Sequence, residues 1–153
     1  MVMMAGNRVF VDTNILVYAS IPETPLHSVA LNAIQTLEQN EKELWVSRQI
    51  LREYLATLTR PQAFGSPIPI VLVVEEVRQF ESRFRVAEDN AQATANLLAL
   101  MQQISVGGKE VHDANIVATM QAYGIDQLLT HNTIDFARFA TLITALPLVN
   151  AQV

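Results

Sequence analysis

The sequence predicts an α/β fold, a parallel sheet of short strands with helices on both of its faces. Three observations carry that prediction. Short apolar runs rich in β-branched or aromatic residues, such as Val9-Phe10-Val11 and Leu44-Trp45-Val46, alternate with longer stretches whose apolar residues recur at helical spacing. Alternation of this kind makes successive strands parallel and lays the intervening helices across the sheet. Half of the 153 residues are hydrophobic and only 16% are charged, which fits one globular domain over 1–153 and excludes general disorder.

Arg8–Tyr18 reads RVFVDTNILVY. Val9, Phe10 and Val11 suit a fully buried strand, and Asp12, Thr13 and Asn14 interrupt it with small polar side chains. Asn14–Ser20 starts a short helix that Pro22 and Pro25 end. Leu26–Gln39 is an amphipathic helix through Leu26, Val29, Ala30, Ala33, Ile34 and Leu37. Leu44-Trp45-Val46 is the second strand. Ser47 then caps a helix over Arg48–Arg60, with its stripe at Ile50, Leu51, Tyr54, Leu55 and Leu58. Pro61, Gly65, Pro67 and Pro69 mark a flexible loop. Val71–Phe84 returns to helical spacing, although its valines also suit a strand in the first half. Arg85-Val86-Ala87 is a brief strand, Asp89 caps a helix over Asn90–Ile104, and Gly107-Gly108 marks its end. A helix over Asp113–Tyr123 stops at Gly124. Strand Gln127–Thr130, a short helix near Ile134–Phe139 and an edge strand at Leu142-Ile143 complete the order.

Composition removes several function classes. The chain has no cysteine, which excludes disulfides, iron–sulfur clusters and thiolate zinc sites and agrees with a reducing cytosol. His27, His112 and His131 share no metal-ligand spacing. There is no Walker-type phosphate loop and no G-x-S-x-G elbow. No signal peptide is read in MVMMAGNRVF, and Glu75 and Glu76 end the apolar run Ile68–Val74 far short of a membrane span, so a soluble, cytoplasmic protein is expected. The net charge of −5 argues against a broad basic surface for nucleic acid, but not against a nuclease. An acidic cation site is negative when empty, and the ion reverses the local field.

Four acids stand out by position. Asp12 ends the first strand, Glu53 lies in the helix after the second, Asp113 opens a helix, and Asp135 follows strand Gln127–Thr130. A parallel sheet brings such positions to one cleft beyond the strand ends. Carboxylate oxygens are the ligands Mg²⁺ and Mn²⁺ prefer, and a metal there serves phosphodiester hydrolysis. Each acid also has a plainer reading. Asp12 or Asn14 caps the next helix, Asp135 caps Phe136–Phe139, and Asp113 suits a helix N-terminus through the dipole alone. Glu53 sits roughly 130° from the centre of its apolar stripe, where a solvated surface residue also sits.

FVDTNILVY, the Glu of ILREYL and HDANIVATMQAYGIDQLLTHNTIDF together resemble a PIN-domain ribonuclease, and within that family the VapC-type toxins of bacterial toxin–antitoxin pairs. The resemblance runs from Arg8 to about Leu148. It implies a three-layer α/β/α fold with a short, mostly parallel sheet of four or five strands, and a Mg²⁺ or Mn²⁺ site built from three or four acids. Carried over by position, those acids are Asp12, Glu53 and Asp113, with Asn14 as the polar helper and Thr130 as the Thr of the final motif. Many relatives place the fourth acid two residues after that Thr, where this chain has Asn132. Asp135 is expected to supply it, with Asn132 as a neutral or water-mediated ligand. The implied activity is metal-dependent endoribonuclease chemistry on RNA, with a small antitoxin as partner. An RNA-processing nuclease without an antitoxin and an inactive binding module are the alternatives. Arg48, Arg52, Arg60 and Arg138 are the candidate RNA contacts. The apolar helices Leu26–Leu37 and Val71–Phe84 leave surface for a homodimer or an antitoxin helix.

Overall fold

The computed structural model describes residues 6–61 and 65–148. Five strands form the sheet: β1 (Arg8–Val11), β2 (Glu43–Ser47), β3 (Arg85–Ala87), β4 (Gln127–Thr130) and β5 (Thr144–Pro147). Six α-helices, α1 (Thr13–Ser20), α2 (His27–Gln39), α3 (Arg48–Leu58), α4 (Ile70–Arg83), α5 (Ala91–Gln103) and α6 (Glu110–Ala122), and a 3₁₀ helix over Thr133–Phe139 complete the described elements. The architecture is the expected three-layer α/β/α sandwich, and every strand pair is parallel.

Strand order is β3-β2-β1-β4-β5. The chain starts in the middle, fills one side through β2 and β3, then crosses to the other through β4 and β5. The point where that order reverses, between β1 and β4, is where an open α/β sheet leaves a crevice beyond its strand ends. Val9, Phe10 and Val11 have no exposed surface, as a central strand covered on both faces requires. Phe10 stands opposite Leu128 and Val11 opposite Leu129, and the Asp12 amide extends this ladder to the Leu129 carbonyl at 3.0 Å. The ladder therefore carries Asp12 to the end of β4.

Helix packing sets the walls around that point. α1 contacts α2 and α3, and α5 lies along α6. Buried Tyr54 of α3 donates its hydroxyl to Ser20 Oγ of α1 at 2.9 Å, and Ser20 donates to the Leu16 carbonyl. That polar link fixes α3 against the helix that follows Asp12. α6 buries Ala114 and the run Ile116–Met120, so it is covered on several sides and shows no single apolar stripe.

Several boundaries differ from the sequence expectation. Asn90, not Asp89, caps α5, its side chain accepting from the Ala93 amide at 3.0 Å. α5 ends at Gln103, where Ile104 turns extended, and the glycine pair instead precedes α6, with Gly108 at φ +58°. α6 begins at Glu110, so Asp113 lies in its first turn and does not open it. Gly124 does stop α6, at φ +67°. The last strand is Thr144–Pro147, not Leu142-Ile143, whose amides both donate to the Phe139 carbonyl and close the 3₁₀ helix. Pro147 is tolerated because β5 is an edge strand. Of the proline-rich loop, residues 62–64 lie outside those described. Among the described residues no helix is long and apolar enough to cross a membrane.

Candidate active site

Beyond the ends of β1 and β4 lies a cleft of about 640 Å³. Asp12, Glu53, Asp113 and Asp135 all line it, together with Thr13, Asn14, Tyr18, Arg60 and Asn132. Four carboxylates drawn from four parts of the sequence thus face one space. The apolar part of the wall comes from Val17, Ala56 and Phe136.

Asp12 is almost wholly buried at 7% exposure, and its two oxygens have different partners. Oδ1 accepts from the Thr13 amide at 2.7 Å and so caps α1. Oδ2 accepts from the Thr130 hydroxyl at 2.7 Å and from Asn14 Nδ2 at 3.3 Å. The capping reading and the cleft reading of Asp12 are therefore not exclusive. Asn14 also reaches across the sheet, its Oδ1 accepting from the His131 amide at 3.1 Å. Thr130 is fully buried, and its hydroxyl accepts from the Asn132 amide at 3.1 Å. Strand β1, helix α1 and the turn after β4 are tied together through these three side chains.

Glu53 is half-buried and not a solvated surface residue. Its Oε1 accepts from Thr13 Oγ1 and its Oε2 from Gln49 Nε2, both at 2.9 Å. Gln49 is itself buried. Its amide also donates to the His112 carbonyl at 2.9 Å, and its Oε1 accepts from Asn115 Nδ2 at 2.7 Å. Gln49 therefore bridges α3 to the first turn of α6, which carries Asp113. The sequence reading passed over Gln49 and Thr13. The i,i+4 spacing of Gln49 and Glu53 was the available signal for one of them. Ala56 and Thr57 enter the cleft because they follow Glu53 by three and four residues on one face of α3, and Arg60 lines it from just beyond the helix end at Leu58.

Electrostatics follow from burial and crowding. Burial pushes the Asp12 carboxyl up to about 6, against the Thr130 and Thr13 hydrogen bonds, and the charges of Glu53 and Asp135 add to it. Asp113 is also raised to about 6, by burial first and then by Asp12, Asp135 and Glu53, with Arg138 opposing. Among the described residues no Lys or Arg forms an ion pair with any of the four acids. Among the described residues Arg60 is the one cation lining the cleft, against four carboxylates.

Other residues singled out in the sequence lie elsewhere. Neither His112 nor His131 lines the cleft. The His131 ring packs edge-on to Tyr18 with centroids 5.6 Å apart. Arg48 is held by Glu81 and Glu88, Arg52 lies beside Asp89, and Arg138 is paired with Glu110 at 2.6 Å. Arg60 alone of the four arginines lines the cleft.

The donor set is all oxygen, as a hard divalent cation requires, and its charge is unmet. Among the described residues no three acids converge closely enough to hold an ion by direct ligation.

A family model described as the PIN domain matches residues 9–142. Ribonuclease VapC48 of Mycobacterium tuberculosis is 27% identical over 131 residues, covering 84% of this chain and 89% of the relative. Among solved structures, VapBC2 from Rickettsia felis, bound to a promoter DNA fragment, superimposes with a TM-score of 0.66 at 22% identity, over 92% of this chain and 98% of that one. A toxin–antitoxin complex from Klebsiella pneumoniae gives 0.64 at 21% identity, over 93% and 98%. VapC20 of M. tuberculosis, a toxin that cleaves the sarcin–ricin loop, gives 0.62 at 17%, over 89% and 96%.

Proposed function

The chain belongs to the PIN domain family, and on that premise we propose that it is a divalent-metal-dependent endoribonuclease, the toxin of a VapBC-type toxin–antitoxin pair. One observation carries the nuclease reading: four carboxylates without a cationic partner line one cleft at the reversal point of the sheet. Asp12, Glu53, Asp113 and Asp135 would hold Mg²⁺ or Mn²⁺. The chemistry such an ion would supply there is neutralisation of charge developing on a phosphodiester and a more acidic water for hydrolysis. The chain's own residues do the positioning. Thr130 and Asn14 hold Asp12, Thr13 and Gln49 hold Glu53, and Thr130 in turn accepts from the backbone amide of Asn132, which also lines the cleft.

The toxin reading draws on the VapC relatives and on exposed apolar surface. Ile70, Val71 and Leu72 open α4 with 58%, 77% and 60% of their surface exposed, which suits a partner helix or a second copy of the chain. The decisive experiment expresses the chain alone and beside its neighbouring small gene, and incubates the purified protein with single-stranded RNA, with and without Mg²⁺, Mn²⁺ or EDTA. The expected result is metal-dependent cleavage and growth arrest, both lost in Asp12→Asn, with arrest relieved by the neighbour. Cleavage without arrest or partner would select the RNA-processing alternative. RNA binding without cleavage under any metal would select the inactive module.

A further inference from the structure

We propose that Arg60 is a substrate-positioning residue that grips a backbone phosphate flanking the scissile one in the RNA strand. This rests on the ribonuclease reading above. The cleft is walled by four acids and a single cation, and that cation is Arg60. Arg48, Arg52 and Arg138 are committed to Glu81 and Glu88, to Asp89 and to Glu110. Among the described residues Arg60 has no ion pair and its side chain makes no hydrogen bond, although it shares a cavity with four carboxylates. It is exposed, and it lies just past the C-cap Thr59 of α3, which keeps helical backbone angles.

Spacing assigns the phosphate. Arg60 lies two residues past the end of α3 and lines the cleft that Glu53 faces, seven residues on, or ~10 Å at helical rise. That separation suits a neighbouring phosphate of the same strand, next to the one held among the acids. A planar guanidinium with five donors matches phosphate oxygens better than an ammonium does. A contact to a non-reacting phosphate that is kept unchanged between the ground and transition states acts on KM and leaves kcat alone, which is the behaviour assigned to Arg60. It also places one fixed positive charge in a cleft that otherwise repels RNA.

The test uses the full chain and an oligoribonucleotide whose cleavage position has been mapped. Arg60→Ala is expected to raise KM about 5- to 10-fold with kcat unchanged, Arg60→Lys to recover part of it, and Arg85→Ala, at an exposed residue outside the cleft, to change neither. The slope of log(kcat/KM) against log salt should fall by about 0.7, the contribution of one single-stranded phosphate. Oligonucleotides carrying one uncharged methylphosphonate linkage then locate the contact. With the correct flanking linkage neutralised, Arg60→Ala should cost nothing further. A loss in kcat, no loss at all, or an Arg60→Ala effect that survives neutralisation at every flanking linkage would overturn the inference. Wild-type protein that cleaves while Arg60→Ala matches it sinks this inference alone. Wild-type protein that fails to cleave with any metal sinks the ribonuclease reading first.

Discussion

Asp135 and Asn132 stand three residues apart on the rim of the cleft, and their surroundings separate the two candidates for the fourth ligand. Asp135 raises the pKa of both Asp12 and Asp113, so its charge is felt across the cleft, whereas Asn132 brings a neutral side chain and holds Thr130 through its backbone amide. Asp135→Asn should therefore raise the Mg²⁺ concentration needed for half-maximal cleavage at least 10-fold, and Asn132→Ala by no more than 2- to 3-fold. Equal small shifts would leave a three-acid site. Gln49 offers a second test at this scale. Gln49→Ala leaves the His112 carbonyl and the Asn115 amide without their partner and frees Glu53, so it should lower stability by about 1–3 kcal/mol in urea unfolding as well as lowering activity. A variant that is fully active and fully stable would show that Glu53 needs no holding.

At the scale of the elements, caps and turns decided what periodicity left open. Asp89 and Asn90 are adjacent candidates for one cap, and it is Asn90 whose side chain accepts from the Ala93 amide, on an extended backbone. Asn90→Ala should cost about 1 kcal/mol of unfolding free energy. Asp89→Ala removes an exposed ion pair with Arg52 at 3.5 Å and should stay within about 0.5 kcal/mol. Thermal and urea melts of the two variants check the assignment, and the reverse order would reject it. The first half of α4 was ambiguous because valines suit both states. It is helical, and its opening residues remain exposed because α4 buries only Val73 and Phe80. Val71→Lys should accordingly leave the melting temperature within a few degrees while abolishing whatever association the apolar patch supports, measured as mass in solution.

For the whole molecule, the crowded acids make metal-free stability depend on pH. Asp12 and Asp113 are raised to about 6, above the unfolded value of 3.8, so the fold binds protons more tightly than the unfolded chain between those limits. Stability from these groups is fully present below about pH 4 and is lost as pH rises through 6. For buried Asp12 alone a shift of this size corresponds to about 3 kcal/mol. The metal-free protein should melt higher at pH 5 than at pH 7.5, with Asp12→Asn flattening the difference, while cleavage with Mg²⁺ rises over the same interval as the carboxylates ionise. A metal-free melting temperature that climbs from pH 5 to 7.5 would contradict the raised values.

The sequence by itself determined the fold class, the family resemblance and nearly every element, because the signals involved are local. Val9-Phe10-Val11 is apolar on every residue, Gly124 stops a helix, and Ser47 begins one, whatever lies far away in the chain. Its motifs also named the acids that end up facing the cleft. Local text could not say whether Glu53 faces solvent or the cleft, since a helix flank is the same in both cases until another element covers it. Strand order decided that. By placing β4 beside β1, the sheet brings Thr130 onto Asp12 across 118 positions of sequence, and the packing of α3 against α1 and α6 turns Glu53 inward through Thr13 and Gln49. The same packing sorted the arginines, pairing three with acids distant in sequence and leaving Arg60 in the cleft. Charge alone is written in the sequence, but which charges are left uncompensated depends on contacts that only the folded chain makes.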